Sequence, residues 1–338
     1  MSEISLKHAI GQILIVGFEG TQLTPPLRGA LTKGSVGGVV LFSRNMTSQA
    51  QLRELTQSIH ELSAVCAPWV AVDQEGGKVQ RLGPKLGFDP VPPAMHISEM
   101  TPAEGYAIAA KTAAQLRDFG FNLNFAPVLD IHTNPKNPII ADRAFGTTPE
   151  RVIAHALPVI QAHLEAGVVP CGKHFPGHGD TDTDSHTDSP IVMHDLARLR
   201  QIEFRPFKAA IDAGIPMIMS AHIRLPQIGE RFPATLSPGF MRDILRGELG
   251  FDGIIVSDDL EMSAIADNFS CLKAVILGLR AGVDAFLICK SQYLWLPLAQ
   301  QILDEARQDP GLAERILESA QRILQAKDRF LKPGGTLP

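Results

Sequence analysis

A chain of 338 residues in which 45% of side chains are hydrophobic and 20% charged can bury a substantial core, and its composition is neither disordered nor fibrous. The formal charge of −5 comes without a basic stripe, which argues against nucleic acid and anionic membrane surfaces as partners. Cys66, Cys171, Cys271 and Cys289 lie far apart and mostly inside apolar runs, so they read as small buried hydrophobes, and nothing asks for an oxidising compartment.

The first apolar stretch, Ile13 to Val16, is too short and wrongly flanked for a secretory segment, and no window is apolar for long enough to span a bilayer. The expectation is a cytoplasmic protein. Short apolar runs of strand length fall at 12–17, 36–42, 68–72, 121–126, 168–173, 215–220, 253–257 and 283–288. Helical patterns lie between most of them: Ser48–Ala64, Pro102–Asp118, Pro149–Ala166, Leu199–Ala213, Pro238–Leu249 and Cys271–Ala281. Thr101-Pro102 and Thr148-Pro149 match an N-cap followed by proline at the first helical position. Gly120, Gly167, Gly214, Gly250 and Gly282 stand just before strands, where a helix ends left-handed.

This alternation predicts the α/β class and a single (β/α)8 TIM barrel over residues 1–338. The tail patterns Leu294–Gln308 and Leu312–Phe330 close the outer ring, and Pro333 to Pro338 reads as a frayed end. No linker divides the chain. The rival, a doubly wound nucleotide-binding sheet, lacks support because Gly34-Ser35-Val36-Gly37-Gly38 is no dinucleotide fingerprint and there is no P-loop.

Chemistry concentrates after the fifth apolar run, in Lys173-His174-Phe175-Pro176-Gly177-His178-Gly179-Asp180 and on to Asp184-Ser185-His186, a stretch read as a loop leaving a strand end. Asp180, Asp182 and Asp184 imitate the start of a calcium loop, but Ser185 stands where its turn needs glycine and Ile191 where it needs glutamate. His174 and His178 have zinc-helix spacing, yet Pro176 and Gly177 forbid that helix. No metal and no cofactor is therefore expected. Solvated loop charges are the bland alternative. The catalytic reading is physical: in an extended loop Asp184 and His186 project to one side, so the carboxylate can bond one imidazole nitrogen and leave the other to move a proton. In a barrel Asp73, Lys173, His174, His222 and Asp258, all at strand ends, converge on one mouth. Charges there are costly to bury unless paired or used.

The segment 173–179 with Asp184-Ser185-His186 resembles the signature of family 3 glycoside hydrolases, in the bacterial β-N-acetylhexosaminidase branch. Three more stretches agree in order: Val72 to Arg81, Asp142-Arg143-Ala144-Phe145-Gly146 and Val256 to Met262. The resemblance implies an exo-acting retaining hydrolase with Asp258 as nucleophile, Asp259 as a structural neighbour, and His186, tuned by Asp184, as acid and base in turn. It assigns sugar contacts to Asp73, Arg81, Arg143, Lys173 and His174. It implies GlcNAc-containing oligosaccharides or muropeptides as substrates, peptidoglycan recycling as the setting, and a monomer. Lys78 stands where many relatives have Arg, and Ala141 where Gly is common. The alternatives are a phosphorylase in which phosphate replaces water, a broader β-glycosidase, a sugar-binding protein without catalysis, and attack by the substrate's own acetamido group.

Overall fold

The computed structural model describes residues 4–62, 66–181, 190–291 and 293–331. Eight parallel strands close into a barrel in chain order: β1 Leu14–Val16, β2 Gly38–Leu41, β3 Trp69–Val72, β4 Leu123–Asn124, β5 Val169–Phe175, β6 Met217–Ser220, β7 Ile254–Asp259 and β8 Ala285–Ile288, with β8 pairing back onto β1. Nearly every strand residue is buried, because the barrel interior covers one face and the helices the other. That is why these strands read as continuous apolar runs rather than alternating ones. The expected barrel is the observed fold.

The helix punctuation holds as well. Thr101 and Thr148 cap Pro102–Asp118 and Pro149–Glu165 through their side chains, and the glycines at 120, 167, 214, 250 and 282 all have positive φ, from 73° to 118°. The structure differs from the periodicity in places. Residues Leu6–Gln12 form a helix capped by the Ser5 hydroxyl, so β1 starts at Leu14, later than the apolar run. The single helix expected over Leu199–Ala213 is two, Leu196–Gln201 and Phe204–Asp212. Pro206 has no N–H to give to Ile202, which permits the break at 202–203. β5 continues through Lys173, His174 and Phe175, so the first part of the presumed loop is strand. β4 is short because side chains do ladder work there: Asn122 accepts from Val70 N at 2.8 Å and donates to Pro68 O at 3.0 Å.

The floor of the barrel is tied by buried charge. Asp284 at the start of β8 accepts from Arg315 at 2.9 Å, Arg322 at 2.8 Å and Ser319 at 3.1 Å on helix Pro310–Leu331, and from Arg246 at 2.5 Å on the π-helix Gly239–Glu248. Lys327, on the same terminal helix, is buried without a carboxylate. Its ammonium donates to Gln12 Oε1 at 2.8 Å and Gly37 O at 2.7 Å, and it lies 5.6 Å from the Trp69 ring centroid.

Burial pushes the Lys327 ammonium down to about 8, against an opposing pull from Cys66. Below that value the folded state carries a poorly solvated cation. Between it and the ordinary lysine range the folded state is neutral while the unfolded chain stays protonated, so stability rises with pH. Relative to Lys327→Met, the parent should therefore gain about 2 kcal/mol between roughly pH 7.5 and 9.5. Denaturant unfolding of both proteins at the two pH values measures it, and parallel pH dependence would contradict the assignment.

Candidate active site

Sharp turns after β3 carry the first wall of the barrel mouth. Asn124 on β4 holds Gln74 by both backbone groups, accepting from its N–H at 2.9 Å and donating to its carbonyl at 3.1 Å. The Gln74 side chain accepts from Arg81 N at 2.9 Å and Leu82 N at 3.0 Å, so the hairpin of Gln74–Gly76 and Val79–Gln80 closes beneath the mouth. Gly76 and Gly77 turn it with φ of 107° and 57°, and a Cβ on Gly76 would sit 2.4 Å from Pro92 O. This leaves Asp73 and Glu75 facing the same side as the end of β5.

A row of alternating charges results. Arg81 Nη2 donates to Asp73 Oδ2 at 3.3 Å; Lys173 Nζ reaches Asp73 Oδ1 at 2.9 Å and Glu75 Oε1 at 2.6 Å; Arg143 grips Glu75 with two parallel bonds of 2.8 Å. Burial works against the Glu75 charge, but Lys173 and Arg143 hold its carboxyl far below the usual carboxylate range. Burial likewise opposes the Lys173 charge, and Asp73 and Glu75 raise that ammonium above its ordinary value. Arg143 is delivered by the turn Ala141–Arg143, where Ala141 takes a left-handed φ of 41°. A glycine adopts that conformation more easily.

Behind His174 lies Asp130, fully buried. It accepts from His174 Nδ1 at 2.7 Å, from His174 N at 3.2 Å and from His178 N at 2.6 Å. Burial would raise its carboxyl, but His174 and His178 keep it low. His178 stands at a right angle to His174, with ring centroids 5.9 Å apart, and its Nδ1 lies 2.8 Å from Thr181 Oγ1; burial pushes its imidazole down to about 4.

Asp258 is the penultimate residue of β7 and is partly exposed into the cavity. Its Oδ1 accepts from Asp259 N at 2.8 Å. Burial would raise it, yet the nearby His174 and His222 imidazoles, the Asp259 amide and Lys173 draw it below the usual range, so it stays ionised. Asp259 turns away to accept from Glu261 N and Cys289 N, both at 3.1 Å, and burial pushes it up to about 6.

The charged row, His174, His178, Asp258 and Asp259 line one cavity of about 280 Å³, together with Arg44, Phe42, Met219 and Met262, while Asp130 and His222 stand behind it. Of the residues singled out from sequence, Asp73, Arg81, Arg143, Lys173, His174 and Asp258 come together in it. Asp184 and His186 lie outside the described residues. Among the described residues no cluster of His, Cys, Asp and Glu could hold a metal ion. A partly apolar, concave site with converging charges suits a small polar ligand such as a sugar ring.

Comparison with known proteins places this geometry. The model of the glycosyl hydrolase family 3 N-terminal domain matches residues 5–326. The chain belongs to glycosyl hydrolase family 3. Its barrel superposes on a family 3 β-N-acetylglucosaminidase from Paenibacillus sp. with a TM-score of 0.89 at 34% identity, covering 99% of this chain and 65% of that one. Two relatives are β-hexosaminidase A of Pseudoalteromonas piscicida, 38% identical over 79% of this chain and 48% of that protein, and the β-hexosaminidase of Thiobacillus denitrificans, 38% identical over 82% and 77%. The chain thus spans about half of the first relative and most of the second.

Within this family 3 site, sequence reading passed over Glu75, Asp130, His178 and Arg44. Glu75 sat inside a recognised motif, and only a barrel model placing it two residues past Asp73 could have paired it with Lys173 and Arg143. Asp130 gave a weaker signal, a lone acid after the apolar run Phe125 to Leu129. Asp130→Ala should destabilise the fold by about 3 kcal/mol or more, because it strips the acceptor from two backbone amides and an imidazole in a dry interior. Denaturant unfolding tests this, and a loss below about 1 kcal/mol would show the network to be water-satisfied.

Proposed function

We propose that the barrel, residues 1–338 taken as one catalytic unit, is a retaining exo-β-N-acetylglucosaminidase that removes terminal non-reducing GlcNAc, with muropeptides as the natural substrate class. The relatives named β-hexosaminidase and the β-N-acetylglucosaminidase structure support the activity. The observation that carries the mechanism is that Asp258, whose carboxyl despite burial is drawn below its usual range by His174, His222 and Lys173 nearby, lines the same cavity as the charged row of Arg81, Asp73, Lys173, Glu75 and Arg143.

In the first step the Asp258 carboxylate attacks the anomeric carbon, the bond to the aglycone oxygen breaks, and that oxygen takes a proton from His186. In the second, His186 removes a proton from water, the water oxygen attacks the same carbon, and the glycosyl ester breaks to release GlcNAc and the Asp258 carboxylate. Asp184 holds and tunes His186. Asp73, Arg81, Arg143, Lys173 and His174 bind the sugar's hydroxyls and acetamido group. A cytoplasmic, monomeric enzyme in peptidoglycan recycling fits this reading; no helix among the described residues is long and apolar enough to cross a membrane.

A second reading has one observation behind it. Asp259 lines the same cavity and is pushed up to about 6, a value suited to an acid, so the substrate's acetamido group could attack beside an Asp258–Asp259 pair. Two backbone amides already bind Asp259 as an acceptor, which favours the first reading.

A 2-fluoro sugar with a good leaving group should leave a covalent adduct on the peptide containing Asp258, read by mass spectrometry; turnover without any adduct would favour acetamido attack. His186→Ala should lose about 100-fold or more in kcat/KM on natural glycosides and far less on nitrophenyl β-GlcNAc, whose leaving group needs little protonation. Equal losses on both would remove His186 from the acid role. Free GlcNAc, not GlcNAc 1-phosphate, should accumulate in phosphate buffer.

A further inference from the structure

We propose that Glu75 is a positioning residue that locks Lys173 and Arg143 into one rigid sugar clamp; this rests on the reading that those two cations bind the sugar. Its carboxylate is 5% exposed and makes bonds of 2.6 Å to Lys173 and 2.8 Å, twice, to Arg143. Both Glu75 oxygens are engaged, so the residue itself has little left to offer a substrate.

The hairpin does not depend on this side chain for its shape. Asn124 fixes Gln74, the Gln74 amide fixes Arg81 and Leu82, Gln80 Oε1 accepts from Val91 N at 2.7 Å, and the paired glycines set the turn. Glu75 instead decides where two long side chains point. Without it Lys173 keeps only Asp73, and Arg143 keeps only one bond of 3.2 Å to Ile139 O. A guanidinium so freed has several rotamers available, and each bond it then makes to a sugar costs side-chain entropy.

Charge gives the second half of the argument. The row holds the cations of Arg81, Lys173 and Arg143 against Asp73 and Glu75, leaving one positive charge in excess facing Asp258. Neutralising Glu75 adds another and leaves Lys173 held by Asp73 alone, so that its ammonium can lean towards Asp258, where it would compete with the sugar. Aspartate is no substitute. Shortened by one methylene, its carboxylate is withdrawn by about 1.5 Å and cannot span both partners at hydrogen-bond length.

The test compares the parent with Glu75→Gln, Glu75→Asp, Arg143→Gln and the double variant on nitrophenyl β-GlcNAc, with circular dichroism confirming that each is folded at the assay temperature. Glu75→Gln should lower kcat/KM by roughly 100-fold, mostly through KM, and Glu75→Asp should recover less than about tenfold of it. Adding Glu75→Gln to Arg143→Gln should cost less than about threefold further, since both changes dismantle one clamp. A folded Glu75→Gln within about tenfold of the parent, a loss confined to kcat, or multiplicative losses in the double variant would each overturn the proposal. A parent that ignores nitrophenyl β-GlcNAc would refute the sugar assignment instead, and the same comparison then runs on whichever nitrophenyl glycoside it does hydrolyse.

Discussion

The site depends on solving a problem of burial: three cations and two carboxylates share the mouth of an apolar barrel, and each alone would be expensive to desolvate. Arg81, Asp73, Lys173, Glu75 and Arg143 solve it by alternating, so that the three inner members each meet opposite charge on two sides. The barrel makes this possible because β3, β5 and the loop after β4 deliver their ends to one rim. The row is therefore both a stabilising network and a set of preoriented donors, held before any ligand arrives.

The two ends of the barrel use charge differently. At the floor, Asp284 gathers Arg246, Arg315 and Arg322, the first two of which also bond backbone carbonyls, so that the terminal helix is fastened to β8. At the mouth, Asp258 accepts from the Asp259 amide and lines the open cavity. Charge at the floor fastens a helix to a strand and charge at the mouth lines the cavity, the division expected of this architecture.

Most of the fold was legible because its signals are local. Apolar runs of strand length, threonine-proline helix starts and pre-strand glycines each reflect a backbone requirement that a few residues satisfy, and all recur at barrel spacing. The departures have local causes that periodicity does not register: a missing donor at Pro206, and asparagine side chains at 122 and 124 standing in for strand pairing. The site was legible in part. Asp73, Arg81, Arg143, Lys173, His174 and Asp258 stood in motifs whose resemblance to family 3 supplied roles that spacing alone could not. Glu75 and Asp130 act through other side chains across 68 and 44 residues of chain, and no one-dimensional pattern shows which cation or imidazole a carboxylate will meet.

On the proposed mechanism, with Asp258 as nucleophile, the environment of that residue bears on both halves of a two-step hydrolysis. A nucleophilic carboxylate must be ionised to attack and must then depart from the glycosyl ester it has formed, and a stabilised anion is the better leaving group but the weaker nucleophile. Here the imidazoles of His174 and His222 and the Asp259 amide outweigh the penalty of burial. Those groups are already oriented by Asp130 on one side and by Thr235, 2.9 Å from His222 Nδ1, on the other, so they need not rearrange as charge leaves and returns. Lowering Asp258 costs some nucleophilicity in the first step, which protonation of the aglycone oxygen offsets. In the second step no acid assists the departing carboxylate, and the fixed positive surroundings must do that alone. On the proposed mechanism the buried donors around Asp258 therefore favour the release of the sugar more than its capture.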